Sequence, residues 1–168
     1  MTNAELTELI IDNTDSLFRI SYSILRNSAD AEDAVQSAII KAYSNISRLR
    51  NNDYAKTWLI RILINECKMH IRKVKREVVE DPDEYKLLIS LDCNQSKSDT
   101  VEAETRLDVW SALGKLDPDF RTVLILKYVE GYKLEEIAKM TGVMKGTVGS
   151  RLSRAKKQLR TILADYED

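Results

Sequence analysis

The sequence contains few residues that interrupt helices. Only two prolines and five glycines occur in 168 residues, and these are the two residue types that most strongly destabilise a helix interior. Long tracts rich in Ala, Leu, Ile, Lys and Glu separate them. The composition therefore predicts an all-α chain, in which strands would be unexpected.

Residues that bind metals or catalyse reactions are also scarce. Cys67 and Cys93 are far apart and His70 is the single histidine, so no Cys and His spacing typical of a zinc site is present. We find no glycine-rich phosphate loop and no pattern of nucleophile and base. The sequence thus predicts no catalytic residue, no metal and no cofactor, which argues against an enzyme. It also predicts reduced, structural thiols in a cytoplasmic protein.

Long hydrophobic runs are missing as well. The N-terminus has no basic start followed by an apolar run, and Arg61 or Lys127 interrupts the longest apolar stretches. Neither secretion nor membrane spanning is therefore predicted. Any association with a membrane is expected to come through a partner.

The chain has no excess of charge of either sign. Its formal net charge is −1, which is unusual for a protein that binds nucleic acid. The charges are segregated, however, because acids dominate the first forty residues and the stretch 77–104, whereas cations gather in 56–76 and 145–160. The near-neutral net charge therefore conceals two basic segments, which alternate with acidic segments along the chain.

The first basic surface lies on a helix predicted over 54–76. Five polar residues recur there at alternating spacings of four and three, which places them on one helix face. They are Arg61, Asn65, Lys68, Arg72 and Lys75. Most of the other side is apolar, and His70 is expected to pack near it. A solvated helix normally interleaves Glu with Lys, so this basic face favours contact with nucleic acid.

The second basic surface lies in a predicted helix-turn-helix at 131–160. A first amphipathic helix is expected over 133–140, Gly142 ends it, and a second helix begins near Lys145. At about 100° per residue the apolar stripe of the second helix is Val148, Leu152, Ala155, Leu159 and Ile162. The opposite side is small, polar and basic, so it suits a phosphate-lined groove. A solvated basic helix is the alternative for this helix taken alone.

The N-terminal part of the chain reads as a small helical domain over 1–76. A helix, either continuous or broken, is expected over 4–25. A second helix is expected to have Ser28 as its N-cap and to end near Asn45. The polar stretch 46–53 is predicted to be a loop before the basic helix.

A linker and a second helical domain are predicted to follow. The acidic, polar stretch 77–100 contains one of the two prolines and is the candidate linker. The second domain is expected over 101–168, with a first helix over 101–116. Asp117 and Pro118 suit the start of the next helix, because Asp caps well and Pro is tolerated at the first helical position.

Four segments of the chain form a specific pattern by their order and separation. They are DAEDAVQSAIIKAY at 30–43, TWLIRILINECKMHIRKVKR at 57–76, LDPDFRTVLILKYVEGYKLEEIAKMTG at 116–142 and GTVGSRLSRAKKQLR at 146–160. Together they resemble the group IV, extracytoplasmic-function sigma factors of bacterial RNA polymerase. The resemblance covers nearly the whole chain. It implies two small helical domains, sigma region 2 and sigma region 4, in a protein that brings core polymerase to a small stress or envelope regulon.

The resemblance implies roles for the N-terminal residues. The segment 30–43 resembles region 2.2, which docks on the clamp of the largest polymerase subunit, so Asp30, Asp33 and Gln36 are expected to bind core polymerase. Ser37 departs from the pattern, since an acidic residue is usual there. The basic helix resembles regions 2.3 and 2.4, which recognise and melt the −10 element, with Asn65 at a flipped base. The implied −10 contacts are Arg48, Arg50, Asn51, Asn52, Arg61, Asn65, Lys68, Arg72 and Lys75.

The C-terminal helix resembles region 4.2, which reads the −35 element in the major groove. The implied contacts are Lys145, Thr147, Ser150, Arg151, Ser153, Arg154 and Lys157. Gly149 departs from the family pattern, because a basic residue is common there.

The partners implied by the resemblance are core RNA polymerase and promoter DNA, duplex at −35 and single-stranded at −10. An anti-sigma factor, often membrane-bound, is implied to hold the protein inactive in the cytoplasm. No small-molecule substrate is implied.

A rival interpretation belongs to a different class of protein. A free-standing helix-turn-helix transcriptional regulator would use its N-terminal half for dimerisation or for sensing a ligand. Such a regulator has no need of a basic surface on the helix 54–76 that is aimed at single-stranded DNA. This surface is the feature that favours the sigma factor interpretation.

Overall fold

The computed structural model describes residues 1–78 and 109–165, and every regular element in these two ranges is helical. The six main helices are α1 (Asn3–Leu25), α2 (Ser28–Asn45), α3 (Ala55–Val78), α4 (Pro118–Leu124), α5 (Leu134–Thr141) and α6 (Lys145–Ala164). Two short 3-10 turns, Ile46–Arg48 and Asn52–Tyr54, lie between α2 and α3. The predicted all-α fold is confirmed.

In the N-terminal half, residues 1–78, α1 and α2 pack against each other and against α3. α1 is one unbroken helix, and its capping box joins Thr2 to Glu5, with the Thr2 N–H donating to Glu5 Oε2 at 2.7 Å. The buried side of α2 carries only small side chains: Ala31, Ala34, Ala38 and Ala42. These small residues let α2 lie close to its neighbours. The larger apolar side chains of α1 and α3 fill the core.

The start of α2 differs from the prediction. Asn27, and not Ser28, is the N-cap, because the Asn27 backbone is extended and its Oδ1 accepts from the Asp30 N–H at 3.0 Å. Ser28 is the first helical residue. Arg26 ends α1 in the left-handed conformation, with a φ of 59°, a position at which glycine is usual.

In the C-terminal half, residues 109–165, a helical segment at 109–114 precedes α4. Asp117 caps α4 as predicted, its Oδ1 accepting from the Asp119 N–H at 3.0 Å, and Pro118 occupies the first turn. A π-helical segment, Ile125–Val129, continues α4. The helix-turn-helix is confirmed, with the turn made by Gly142 at a φ of 74°.

The two halves pack on one another, with α1 against α4 and α3 against α5. One cluster of buried apolar residues extends through both halves. The first two residues of the predicted linker at 77–100 are the last two of α3. The rest of this linker and the first half of the predicted helix at 101–116 lie outside the described residues, and the domain boundaries stay predictions. Within the parts that are described, no helix is long and apolar enough to cross a membrane.

Candidate nucleic-acid interface

The basic face of α3, called the α3 surface below, exists because the other side of the helix is buried. The buried residues of α3 are Ala55, Leu59, Ile60, Leu63, Ile64 and Cys67. Of the five predicted contact residues, Arg61, Asn65, Arg72 and Lys75 are exposed. Lys68 is only partly exposed. The acid nearest to them in sequence, Glu66, is paired with Lys41 of α2 at 2.6 Å, which reduces its effect on the surface potential.

The loop that precedes α3 contributes a second group of exposed polar residues. The four −10 contacts predicted in this loop, Arg48, Arg50, Asn51 and Asn52, are all exposed. Asn51 also organises the loop, because its Oδ1 accepts from the Asp53 N–H at 2.9 Å and caps the 3-10 turn Asn52–Tyr54. This turn runs directly into α3. The structure therefore places the loop residues at the N-terminal end of the α3 surface.

Part of the α3 surface is covered by the C-terminal half. Lys68 Nζ donates to the carbonyl of Thr141, the last residue of α5, at 3.1 Å. A helix C-terminus carries partial negative charge, so this carbonyl suits a cation. At the start of α3, Lys139 Nζ lies 4.5 Å from the centroid of the Tyr54 ring. No sequence pattern predicted these contacts, because helical periodicity carries no information on distant partners.

The basic face of α6, called the α6 surface, is fixed by burial of the predicted stripe. Val148, Leu152 and Ala155 are buried, while Leu159 and Ile162 are partly buried. On the opposite side Ser150, Ser153, Arg154 and Lys157 are exposed, and Thr147 is partly exposed. Gly146 and Gly149 have no neighbouring atom near the position of a missing Cβ. The centre of this surface is open to a groove of DNA.

Two other predicted residues of the α6 surface form ion pairs within the protein. Lys145 Nζ pairs with the carboxylate of Glu135, and this hydrogen bond lowers the pKa of Glu135. Arg151 Nη2 lies 2.8 Å from Asp119 Oδ2. The Lys145 pair is exposed and the Arg151 pair is partly exposed. Ion pairs open to solvent contribute little stability, so both cations can exchange their carboxylate for a DNA phosphate.

The predicted polymerase-binding residues lie near the N-terminal end of α2. Asp33 and Gln36 are exposed, as is Ser37. Asp30 is partly buried, and its Oδ2 lies 3.1 Å from His70 Nε2, although the two groups are not aligned as a hydrogen bond. Asp30 therefore faces α3, whereas Asp33 and Gln36 present a polar surface to solvent.

A buried cation joins the two halves. Arg121 of α4 is only 4% exposed. Its guanidinium donates to carbonyls at the end of α1, at the end of the segment 109–114 and in the turn that follows this segment. The acceptors are Ile24 O at 2.8 Å, Leu113 O at 3.5 Å, Gly114 O at 3.2 Å, Leu116 O at 3.0 Å and Ser23 O. Burial lowers the pKa of Arg121 to about 10, so it remains protonated at neutral pH. Carbonyl dipoles compensate its charge.

Three further hydrogen bonds connect α1 and its C-cap, Arg26, to the C-terminal half. Glu130, whose side chain is 6% exposed, accepts from Ser16 Oγ at 2.6 Å and from Arg19 Nε at 2.5 Å. The bond to Glu130 raises the pKa of Arg19. Arg26 Nη1 donates to Trp110 O at 3.0 Å. Sequence reasoning missed all of these residues.

No group of three or more His, Cys, Asp or Glu side chains in the described residues is arranged to hold a metal ion. Cys67 is buried in α3, and desolvation raises its pKa to about 12. Its thiol therefore stays protonated and unreactive at neutral pH. Cys93 lies outside the described residues.

Two family models match the chain: Sigma-70 region 2 over residues 9–77 and Sigma-70 region 4 over residues 106–159. The chain is 35% identical over 159 residues to RNA polymerase sigma factor SigV of Bacillus subtilis (strain 168), with 95% of this chain and 91% of that protein covered. It is 31% identical over 159 residues to ECF RNA polymerase sigma factor SigW of the same strain, with 90% and 84% covered.

A solved structure is also similar along both halves. It is the sigma factor RpoE in complex with the anti-sigma factor NepR from Bartonella quintana. The TM-score is 0.75 at 26% sequence identity, and the similarity covers 95% of this chain and 97% of that one.

Proposed function

This chain belongs to the extracytoplasmic-function sigma factors of the sigma-70 family, and from that premise we propose how its surfaces divide the work of initiation. It is a sigma factor, not an enzyme: it binds core RNA polymerase and directs it to promoter DNA. We assign core polymerase docking to α2, opening of the −10 element to α3, and reading of the −35 element to α6. The observation that carries this assignment is the pair of basic surfaces, on α3 and α6, in one chain.

The α6 surface has the chemistry needed to read duplex DNA. Arg154 is exposed and carries the fork of donors that matches guanine O6 and N7 in the major groove. Ser150 and Ser153 are short enough to let the helix approach the bases. Lys157 and the exchangeable cations Lys145 and Arg151 then contact phosphates, which position the helix without reading sequence.

The α3 surface has the chemistry needed to hold single strands. Unstacking a base costs a few kcal/mol, so the protein must offer compensating contacts to a base that has left the duplex. Asn65 is exposed and its amide both donates and accepts hydrogen bonds, which suits it to a base edge. Arg61, Arg72 and Lys75 lie along the same face and can bind the backbone phosphates.

Docking on core polymerase is assigned to the exposed polar side of α2. Asp33 and Gln36 are available to a partner, whereas Asp30 is turned towards His70 of α3. We therefore place Asp33 and Gln36 at the centre of the polymerase contact and Asp30 at its edge. Ser37 is exposed beside them, and the loss of an acid there weakens the contact relative to the family pattern.

Regulation is inferred from the family and from the RpoE structure, which was solved with the anti-sigma factor NepR bound. We propose that an anti-sigma factor holds this protein inactive in the cytoplasm, either free or anchored in the membrane. We further propose that the released protein serves a small stress or envelope regulon.

Transcription in vitro tests this assignment. Purified protein mixed with core polymerase should give run-off transcripts from its own promoters, which can be found by sequencing the transcripts that appear on overexpression. Reversal of the proposed polymerase contact, with Asp33→Lys and Gln36→Lys together, should abolish run-off without reducing binding to −35 duplex DNA. If the protein binds promoter DNA tightly alone but never directs initiation with core polymerase, a free-standing regulator is the better interpretation.

A further inference from the structure

We propose that Met144, the residue directly before α6, contacts the 5-methyl group of a thymine in the −35 element and so adds to the sequence that α6 reads. The inference rests on the function proposed above for the α6 surface and deepens it. The seven contacts predicted for that surface are all polar or charged. Met144 supplies an apolar contact that none of them provides.

The fold holds Met144 out in solvent. Met144 is 74% exposed, the highest value for a large apolar residue within 1–78 and 109–165. The residues around it are anchored, because Val143 packs against the core and Val148, one turn into α6, is fully buried. Met144 is therefore an exposed side chain on a fixed turn, at the end of the helix that reads DNA.

The stability of α6 does not explain a methionine at this position. Met144 is the N-cap of α6, with an extended backbone at a φ of −69° and a ψ of 150°. Side chains that accept hydrogen bonds are preferred at an N-cap, and Thr2, Asn27 and Asp117 cap α1, α2 and α4 in this way. Met144 makes no such bond. A methionine here lowers the stability of the helix relative to serine, which favours a role outside the helix.

The N-terminal end of α6 is suited to enter the major groove. In helix-turn-helix proteins the N-terminal residues of the second helix contact base edges. Gly146 adds no bulk beside Met144, and nothing lies near the position of its missing Cβ. The first turn of α6 contains no acid, and Glu135 of α5, which reaches this turn, is paired with Lys145. Neither bulk nor unpaired negative charge keeps Met144 from the bases.

The chemistry of the groove identifies the partner of an apolar side chain. Thymine presents a methyl group at its major-groove edge, whereas the other bases present hydrogen-bond donors and acceptors there. Methionine is flexible and polarizable, so it can adapt to a methyl group in a narrow space. Removal of one such group from water changes an affinity about fourfold. A thymine within reach of Met144 is therefore preferred over a base without the methyl group.

Replacement of thymine by uracil tests the contact, because dU differs from dT only by the missing methyl group and pairs with adenine in the same way. The probe is a promoter fragment found by sequencing the transcripts that appear on overexpression. Each dT in its −35 element is replaced singly by dU, and competition measures the affinity of the sigma factor with core polymerase. One replacement should weaken wild-type binding about fourfold, and the others should have little effect.

Two substitutions make the test specific for Met144. Met144→Ser removes the apolar side chain and supplies an N-cap, so it should raise thermal stability and yet abolish the preference for dT at that position. Unfolding cannot explain a loss in a more stable variant. Met144→Leu keeps an apolar side chain of similar size and should keep most of the preference. As a control, Ile11→Ser removes an apolar residue of α1 that is 67% exposed and should leave the preference unchanged.

Thr147 offers the competing explanation, since the methyl group of a threonine also suits a thymine methyl. Thr147→Ser deletes that methyl group alone. Loss of the dT preference in Met144→Ser supports the proposal, whether or not Thr147→Ser shares the loss. A preference that persists in Met144→Ser would overturn it, as would a wild-type protein that no dU replacement weakens.

Failure of the proposed function has a different signature. If α6 does not read a −35 element, scrambling this element leaves wild-type binding and run-off unchanged. If only the role of Met144 is wrong, scrambling abolishes specific binding and Arg154→Ala weakens it, while the effect of dU is absent or does not depend on Met144.

Discussion

The α3 and α6 surfaces look alike in sequence but differ in the folded chain. Each is a basic face opposite an apolar face, at helical spacing. The α6 surface is open, because its apolar stripe of Val148, Leu152 and Ala155 packs within its own half of the chain. The α3 surface is partly occupied, because α5 packs against it from the other half. A basic helix face predicted from sequence therefore indicates where DNA can bind, but it does not indicate whether another part of the folded chain covers that face.

The difference follows from how each helix is supported. α6 packs mainly against α4 and α5, whereas α3 packs against α1, α2 and α5. The long α3 thus serves as the support of the N-terminal half and as a docking site for the C-terminal half. Four predictions test this contrast.

Thiol labelling compares the buried sides of the two helices and carries the largest expected effect. Cys67 on the buried side of α3 has its pKa raised by burial to about 12. Because the thiolate is the reactive species, and each pKa unit is a factor of ten, labelling at pH 8 should be roughly a thousandfold slower than for an exposed thiol. Val148→Cys on the buried side of α6 should be slow as well, and Ser153→Cys should be fast.

The pH dependence of this labelling has a definite sign. The folded thiol stays neutral until about pH 12, so its rate should rise about tenfold per pH unit across the range from 8 to 11. An unfolded thiol ionises at lower pH, so the stability contributed by the neutral thiol is lost as the pH rises towards 12. A rate that levels off near pH 9 in the folded protein would show that Cys67 is not buried in solution. Cys93→Ser is the background for every variant.

Substitutions that create cavities in the two helices should show whether the stability of each half depends on the other half. Leu63 of α3 is fully buried and Leu152 of α6 is 6% exposed. Leu63→Ala should lower the free energy of unfolding by about 3–4 kcal/mol and Leu152→Ala by about 2–3 kcal/mol. Urea unfolding would measure both.

Fluorescence can follow each half separately, since Trp58 and Trp110 lie in different halves. With Trp58→Phe, the signal of Trp110 reports the C-terminal half. If the halves support one another, Leu63→Ala also shifts the transition seen by Trp110. If Leu63→Ala leaves the unfolding transition seen by Trp110 unchanged, the two halves unfold independently and α3 does not support the C-terminal half.

Base contacts should divide cleanly between the two surfaces. Arg154→Ala should weaken −35 duplex binding by about 1–3 kcal/mol, the value of a good bidentate base contact, while Gln158→Ala, an exposed neighbour one turn later, should have little effect. Asn65→Ala should leave −35 binding unchanged and impair opening of the −10 element. Permanganate footprinting on duplex and pre-melted templates measures opening, and an equal loss from Asn65→Ala on both would argue against a role in melting.

The smallest expected effect concerns the helix that carries the polymerase-binding residues. Asn27 caps α2, so Asn27→Ala should cost about 1 kcal/mol of stability. Ser28→Ala should change it by only a few tenths, because Ser28 makes no capping contact. Thermal unfolding of the two variants measures the difference. A larger loss of stability from Ser28→Ala than from Asn27→Ala would indicate that Ser28 is the N-cap, as the sequence suggested.

Much of each half was predictable, because helices leave a periodic pattern in the sequence. The helix-turn-helix was expected over 133–140 and from Lys145, and α5 and α6 begin at Leu134 and Lys145. The cap of α2 was misplaced by one residue because Asn27 and Ser28 both suit a cap, and only the backbone conformation selects Asn27. The roles of the DNA-facing and polymerase-facing residues stay predictions.

The sequence by itself determined the helices, their buried sides and the two basic surfaces, since these depend on spacings of three and four residues. Only the tertiary structure decided that Arg121 is buried against the end of α1 and that Lys68 binds a carbonyl 73 residues away. Contacts between residues so far apart in sequence leave no periodic pattern in the sequence, because they depend on how the formed helices pack against one another. The relation between the two halves of this sigma factor is therefore a property of the fold.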